Sequence, residues 1–205
     1  RCPDRLALAG LFGVRAMPVV LILAAGRGER FRAAGGTTDK LDALLTTPAG
    51  TRTVLQHVVA AAQASGLPWH VVHGQDTAHH PTQGMGTSIA TGVTATPDAG
   101  GWLILPGDLP LIRPESLQAV ARALREHPVV VPMVQGQQGH PVGFGRLCRE
   151  GLLSLLGDQG ARKILQRYPV HALALQDRGC ILDVDTPQAL AEAQSLAQPP
   201  ARGGG

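Results

Sequence analysis

Val19-Val20-Leu21-Ile22-Leu23-Ala24-Ala25-Gly26-Arg27-Gly28-Glu29-Arg30 is the stretch that decides the fold. Its first five residues are apolar and largely β-branched, with no polar break. A strand with one wet face would alternate, so this run reads as a strand covered on both sides, as in a parallel sheet between helical layers. Small residues follow at once. They let a phosphate-bearing ligand approach the backbone, whose successive amides can cradle its oxygens, and Arg30 adds positive charge there. The pattern is not the dinucleotide fingerprint, because Phe31 stands where the third glycine belongs. Nor is it a P-loop, since no Gly-Lys-Ser/Thr follows. An ordinary glycine turn at a strand end is the competing reading.

Working outward, strand and helix patterns alternate. Thr53–Ser65 has apolar residues at helical spacing and stops at Gly66-Leu67-Pro68. Trp69–His73 and Trp102–Leu105 read as strands, with a short helix over Thr87–Ala95 between them. Pro114 suits the first position of a helix running to about Glu126. Val129–Val134 turns through Gln135–Gly139 into a second strand, His140–Phe144. Arg146–Leu156 and Ala161–Tyr168 are predicted helices, Val170–Leu175 and Cys180–Asp183 predicted strands, and Pro187–Leu196 a closing helix. This order predicts a three-layer α/β/α sandwich on a mostly parallel sheet with one late β-hairpin. Ligands of such sheets bind beyond the C-terminal ends of the strands.

Composition narrows the classes. The chain has 205 residues, 44% hydrophobic and 16% charged, which fits one globular domain, taken here as residues 17–197. A net charge of +3 suits an anionic small molecule but is too weak and scattered for nucleic acid. The apolar run Val19–Ala25 is far short of the roughly 20 residues a membrane helix needs, so no membrane partner is expected. Three cysteines without ligand spacing argue for a reducing, cytoplasmic setting. Arg1–Ala16 faintly resembles a signal peptide. A non-native or disordered extension ahead of Met17 is the preferred reading, because a strand begins at Val19. Gln198–Gly205, rich in Pro and Gly, is expected to be disordered.

Two more strand ends carry acids. Pro106-Gly107-Asp108-Leu109-Pro110 offers a carboxylate where Mg2+ would find hard oxygen, although turn aspartates are common. In Leu182-Asp183-Val184-Asp185-Thr186-Pro187, alternation puts Asp183 and Asp185 on one side, yet Asp185 or Thr186 could simply cap the next helix. His140 also reads as a surface hairpin residue, and Asp158 as a helix cap. His79-His80 has no second pair at ligand spacing and reads as a polar loop. Trp69 and Trp102 read as packing residues.

Taken together and in order, these segments resemble the nucleotidyltransferases of the molybdenum-cofactor type, from about Pro18 to Ala197. The resemblance is carried by Leu23-Ala24-Ala25-Gly26, Gly28, Arg30 and Lys40-Leu41, then Gly84-Met85-Gly86-Thr87-Ser88 and Gly107-Asp108-Leu109-Pro110. It continues through Gly139-His140-Pro141-Val142, Gly157–Ala161 and Asp183–Pro187. It implies the Rossmann-like sheet of the nucleotide-diphospho-sugar transferases and an enzyme that moves a nucleoside monophosphate from an NTP to a small phosphorylated acceptor. Leu23, Ala24, Ala25, Gly26, Arg27, Gly28, Gly86 and Ser88 would hold the nucleotide. Arg30, Lys40 and Asp108 would be catalytic, Asp108 and Asp185 would bind Mg2+, and His140, Pro141 and Asp158 would face the acceptor. Leu-Ala-Ala-Gly is more like the cytidylyltransferase branch, which implies CTP, molybdopterin or molybdenum cofactor as acceptor, and a molybdoenzyme or its maturation chaperone downstream. A guanylyltransferase, a sugar-phosphate nucleotidyltransferase and a catalytically silent nucleotide-binding regulator are the alternatives. Two segments depart from the family: 32–39 is longer and 75–82 shorter, so the sheet is expected to lack a strand.

Overall fold

The computed structural model describes residues 16–26 and 28–198. In chain order its elements are β1 (Val19–Ala24), α1 (Glu29–Ala33), the hairpin β2 (Leu44–Thr47) and β3 (Gly50–Thr53), α2 (Val54–Ala64), β4 (Trp69–His73) and α3 (Gly74–Thr77). Then follow α4 (Met85–Ala95), β5 (Gly101–Pro106), α5 (Pro114–Ala123), β6 (Val129–Val134), β7 (Gln137–Gln138) and β8 (Val142–Gly145). The last are α6 (Arg149–Leu153), α7 (Arg162–Leu165), β9 (Val170–Ala174) and α8 (Pro187–Ala197).

Among the described residues the main sheet has seven strands in the order β4-β1-β5-β8-β6, with β7 and β9 both pairing β6. β1 is parallel to β4 and β5, and β6 to β9, while β8 runs antiparallel between β5 and β6. Residues of β1 alternate between two cores. Val20 and Ile22 pack with Val58, Ala62, Leu117 and Val120 of α2 and α5. Val19 and Leu21 pack with Ile89, Val93, Leu152 and Ile164 of α4, α6 and α7. Helices on both faces of a mostly parallel sheet form the expected three layers. Pro132 sits inside β6, where it has no N–H to donate. It falls at the point where β8, paired with Val129 and Val130, gives way to β7, paired with Met133 and Val134.

Several boundaries follow from capping. Thr53 and Gln56 close a capping box on α2, and Gly66 ends that helix with φ 70°. α4 begins at Met85, two residues before the expected start, α5 ends at Ala123, and the two helices after β8 are shorter than expected. The late hairpin is present, but His140-Pro141 is a cis turn ahead of β8 and not part of it. Cys180–Asp183 is not a strand: a 3-10 turn over Arg178–Cys180 leads into an extended segment. The cause is Asp177, whose carboxylate accepts hydrogen bonds from the Gly179, Arg113 and Ser116 donors. Gly179 in turn lies so close to the Leu111 carbonyl that a Cβ would overlap it.

The hairpin β2–β3 was not expected. It covers a third cluster in which Leu45 packs with Phe31, Leu41, Val54, Val184 and Ala193. Gln194 of α8 pins it by bonding both the N–H and the carbonyl of Thr46. The short segment after β4 supplies only α3, so β4 remains a sheet edge with Trp69 41% exposed, whereas Trp102 is fully buried. Arg1–Arg15 and residues 199–205 lie outside the described residues.

Candidate active site

β1 and β5 run side by side and in register through Leu23 and Pro106, so their C-terminal ends open at one place. A cavity of about 860 Å³ lies there. Its floor is Leu23, Ala25, Gly26 and Gly28 on one side and Gly107 and Asp108 on the other. The N-terminal turn of α4 supplies the opposite wall through Gly84, Met85 and Ser88. Gly28 adopts φ 61°, a conformation that costs a side chain dearly, and turns the chain directly into α1. The Gly107 amide is bonded to the Leu23 carbonyl, which binds the two strand ends together.

At the rim four charged side chains meet. The Lys40 ammonium donates to Asp108 Oδ2 at 2.5 Å and to Asp185 Oδ1 at 2.6 Å. Arg30 donates to Asp185 Oδ2 at 3.2 Å. The Lys40 and Asp108 side chains are each 13% exposed, while Arg30 stands 84% in solvent. Burial alone would lower the Lys40 pKa, but Asp108 and Asp185 outweigh it and hold the ammonium above its usual value. Burial pushes the Asp185 carboxyl up; Lys40 and Arg30 pull it further down, below the ordinary range. Asp183 is raised instead, by burial and by the like charges of Asp185 and Asp108 beside it.

Local bonds explain how distant residues arrive here. Lys40 follows a turn in which Asp39 Oδ1 accepts the Leu41 amide, and the Leu41 carbonyl accepts that of Leu55. The long 32–39 segment therefore leaves Lys40 firmly placed; Gly36 folds back on Phe31 and absorbs the extra length. The Val184 amide donates to the Asp108 carbonyl, docking the C-terminal segment on the β5 turn. Val184 is buried in the third cluster, so Asp183 and Asp185 face the other way. Thr186, not Asp185, caps α8 through the Ala189 amide. That leaves the Asp185 carboxylate for the site.

The remaining candidates fall in three places. Asp158 lines the cavity close to Gly84. His140 and Pro141 do not line it; burial lowers the His140 pKa, against the opposing pull of the Asp108 charge. Ala24 packs against the third cluster, and the Gly86 amide is taken by the Gly157 carbonyl at 2.7 Å, so neither lines the cavity. Arg27 lies outside the described residues. His80 lines the cavity, beside Pro81. Sequence reasoning missed Asp177, although Asp two residues before Gly is an Asx-turn signal. Its partners Arg113 and Ser116 are more than sixty positions away.

The residues fit a divalent cation. Asp108 Oδ1 is buried with no hydrogen-bond partner, and Asp185 stands across Lys40 from it. Among the described residues no group of three or more His, Cys, Asp or Glu is placed to hold a metal. Two carboxylates suffice for Mg2+, which commonly keeps waters and takes its other ligands from substrate phosphates. No helix among the described residues is long and apolar enough to cross a membrane.

A nucleotide-sized cavity past the ends of β1 and β5 in a Rossmann-like sheet puts the molecule in the nucleotide-sugar transferase class of α/β folds. Within that class the chain belongs to the MobA-like NTP transferase family, whose profile matches residues 20–173. The bifunctional protein GlmU of Alkalilimnicola ehrlichii is 33% identical over 148 residues, covering 64% of this chain and 30% of that protein. The chain thus spans about a third of the length of the curated relatives it matches. Rv0371c from Mycobacterium tuberculosis superimposes with TM-score 0.68 at 24% identity, over 88% of this chain and 98% of that one; a second structure of it is a manganese complex. A nucleotidyl transferase from Methanothermobacter gives TM-score 0.71 at 17% identity, over 88% and 97%.

Proposed function

We propose that residues 17–197 form one domain that transfers CMP from CTP to a phosphorylated acceptor of the molybdopterin or molybdenum-cofactor type, releasing pyrophosphate. The observation that carries this reading is the meeting of Asp108 and Asp185 around Lys40 at the rim of a glycine-lined cavity. Leu23, Ala25, Gly26 and Gly28 would hold base and phosphates, with Ser88 on the facing helix. Arg30 and Lys40 would grip the triphosphate, and Asp158, which lines the cavity, would face the acceptor. An acceptor phosphate, with a second pKa of about 6, is already largely ionised at neutral pH and needs no activating base. Its oxygen attacks the α-phosphorus in line, the bond to the bridging oxygen breaks, and pyrophosphate leaves with that electron pair. The chain's task is therefore alignment and charge neutralisation. Asp108 and Asp185 would hold Mg2+, which when bound supplies positive charge to the α-phosphate and the leaving group. Buried, free Cys148 and Cys180 are consistent with a cytoplasmic setting, where a molybdoenzyme or its maturation chaperone would take the product.

The test is pyrophosphate release from CTP, GTP, ATP or UTP with Mg2+ and molybdopterin. CTP should support release, and Asp108→Asn should lower it about a hundredfold or more. Release with GTP alone would replace the base assignment. Nucleotides that raise the melting temperature without any release would make the chain a binder and remove the transfer reaction.

A further inference from the structure

We propose that Lys40 is the resident counter-ion of the Asp108–Asp185 pair and competes with the divalent cation for that place, yielding it far more readily once a triphosphate offers its ammonium other oxygens, so that cation and nucleotide bind cooperatively. The inference rests on the cation reading above and concerns its regulation.

Three of the four carboxylate oxygens already carry a bond from a positive side chain: Asp108 Oδ2 and Asp185 Oδ1 from Lys40, and Asp185 Oδ2 from Arg30. Only Asp108 Oδ1 has none. A magnesium ion needs oxygens at roughly 2.0–2.1 Å in a demanding geometry. An ammonium 2.5 and 2.6 Å from the same two carboxylates occupies that ground, and like charges exclude each other there. Lys40 and Arg30 offset both charges of the pair they bond, Asp108 and Asp185, and so weaken its pull on a free cation.

Lys40 cannot leave for nothing, because its side chain is 13% exposed and its ammonium would lose two charged partners. Its backbone is fixed by the Leu41 bonds, but its four-carbon stem has rotatable bonds, and its side chain already borders the cavity where phosphates would lie. A triphosphate entering that cavity gives the ammonium new partners and leaves the carboxylates to the metal. By linkage, whatever the nucleotide does for metal affinity the metal does for nucleotide affinity.

The experiment is titration with Mn2+, its free concentration read by electron paramagnetic resonance, on wild type, Lys40→Met and Lys40→Arg without nucleotide. Lys40→Met should bind Mn2+ at least about tenfold tighter than wild type, and Lys40→Arg should stay as weak as wild type. Equal or weaker binding by a folded Lys40→Met overturns the proposal. If that variant does not fold, wild type decides: saturating Mn2+ should speed acetylation of Lys40, read by mass spectrometry, and unchanged or slower acetylation overturns it. Mn2+ bound by wild type but not tightened by Lys40→Met removes only the counter-ion role. Binding by neither protein removes the cation site itself.

Discussion

Asp177→Ala is the substitution whose cost the structure lets one work out most fully. The residue is 6% exposed, and besides a weak bond from the Cys180 thiol at 3.6 Å its carboxylate answers three N–H and O–H donors: the Arg113 amide at 2.9 Å, the Ser116 hydroxyl at 2.7 Å and the Gly179 amide at 2.9 Å. The Arg113 guanidinium, 3.8 Å away and 70% exposed, adds little. Alanine leaves all three donors unanswered. At about 1 kcal/mol or more for each buried donor stranded, the loss is about 3 kcal/mol. A domain of this size loses about 2–4 °C of melting temperature per kcal/mol, so a fall of about 6–12 °C is expected in thermal unfolding followed by circular dichroism. Ser116→Ala, which removes one neutral donor together with its bond, should cost about 1 kcal/mol or less. Asp177→Asn should behave nearly as badly as alanine, because its amide turns a donor toward donors. An Asp177→Ala protein melting within about 2 °C of wild type would refute the claim that this carboxylate holds the turn.

Other expectations come from packing and from proton linkage. Gly86→Ala puts a Cβ 2.5 Å from the Gln159 carbonyl and 3.1 Å from that of Gly157, both backbone atoms that cannot rotate away. Overpacking costs about 1–3 kcal/mol against a helix-propensity gain of about 1, so a melting temperature at or above wild type would contradict the clash. His140 has a folded pKa below 6.5, so its contribution to stability is complete above that pH and is lost as the pH falls through the lower folded value. His140→Gln should therefore show a shallower decline of melting temperature below pH 6.5 than wild type; parallel declines would remove the attribution.

How far the sequence foretells this molecule depends on how local each cause is. Val19–Leu23 and Trp102–Leu105 are long apolar runs whose burial on both faces needs no partner to be named, and both are strands as read. Cys180-Ile181-Leu182 looks as apolar, yet Asp177 and the tight approach of Gly179 to Leu111 turn it aside. The hairpin Leu44–Thr53 had a visible turn, Thr47-Pro48-Ala49-Gly50, but too little alternation to mark its strands. At the site, motif order located Asp108, Asp185, Lys40 and Arg30. Nothing local says that Lys40 bridges the two acids, since its partners lie 68 and 145 positions away. Likewise the Gly86 amide, which the motif suggests for a ligand, is claimed by a carbonyl beyond residue 150.

The Val184–Asp108 bond has a consequence for the order of events during synthesis. Every strand from β1 to β8 leaves the ribosome before residue 183 does, and so can pair while the acid that completes the rim is still unmade. A nascent chain stopped short of position 185 has the sheet and the glycine floor, but its Lys40 holds one carboxylate in place of two. A chain cut just before position 185 should therefore lack the second carboxylate of the rim while every strand of the sheet is still present.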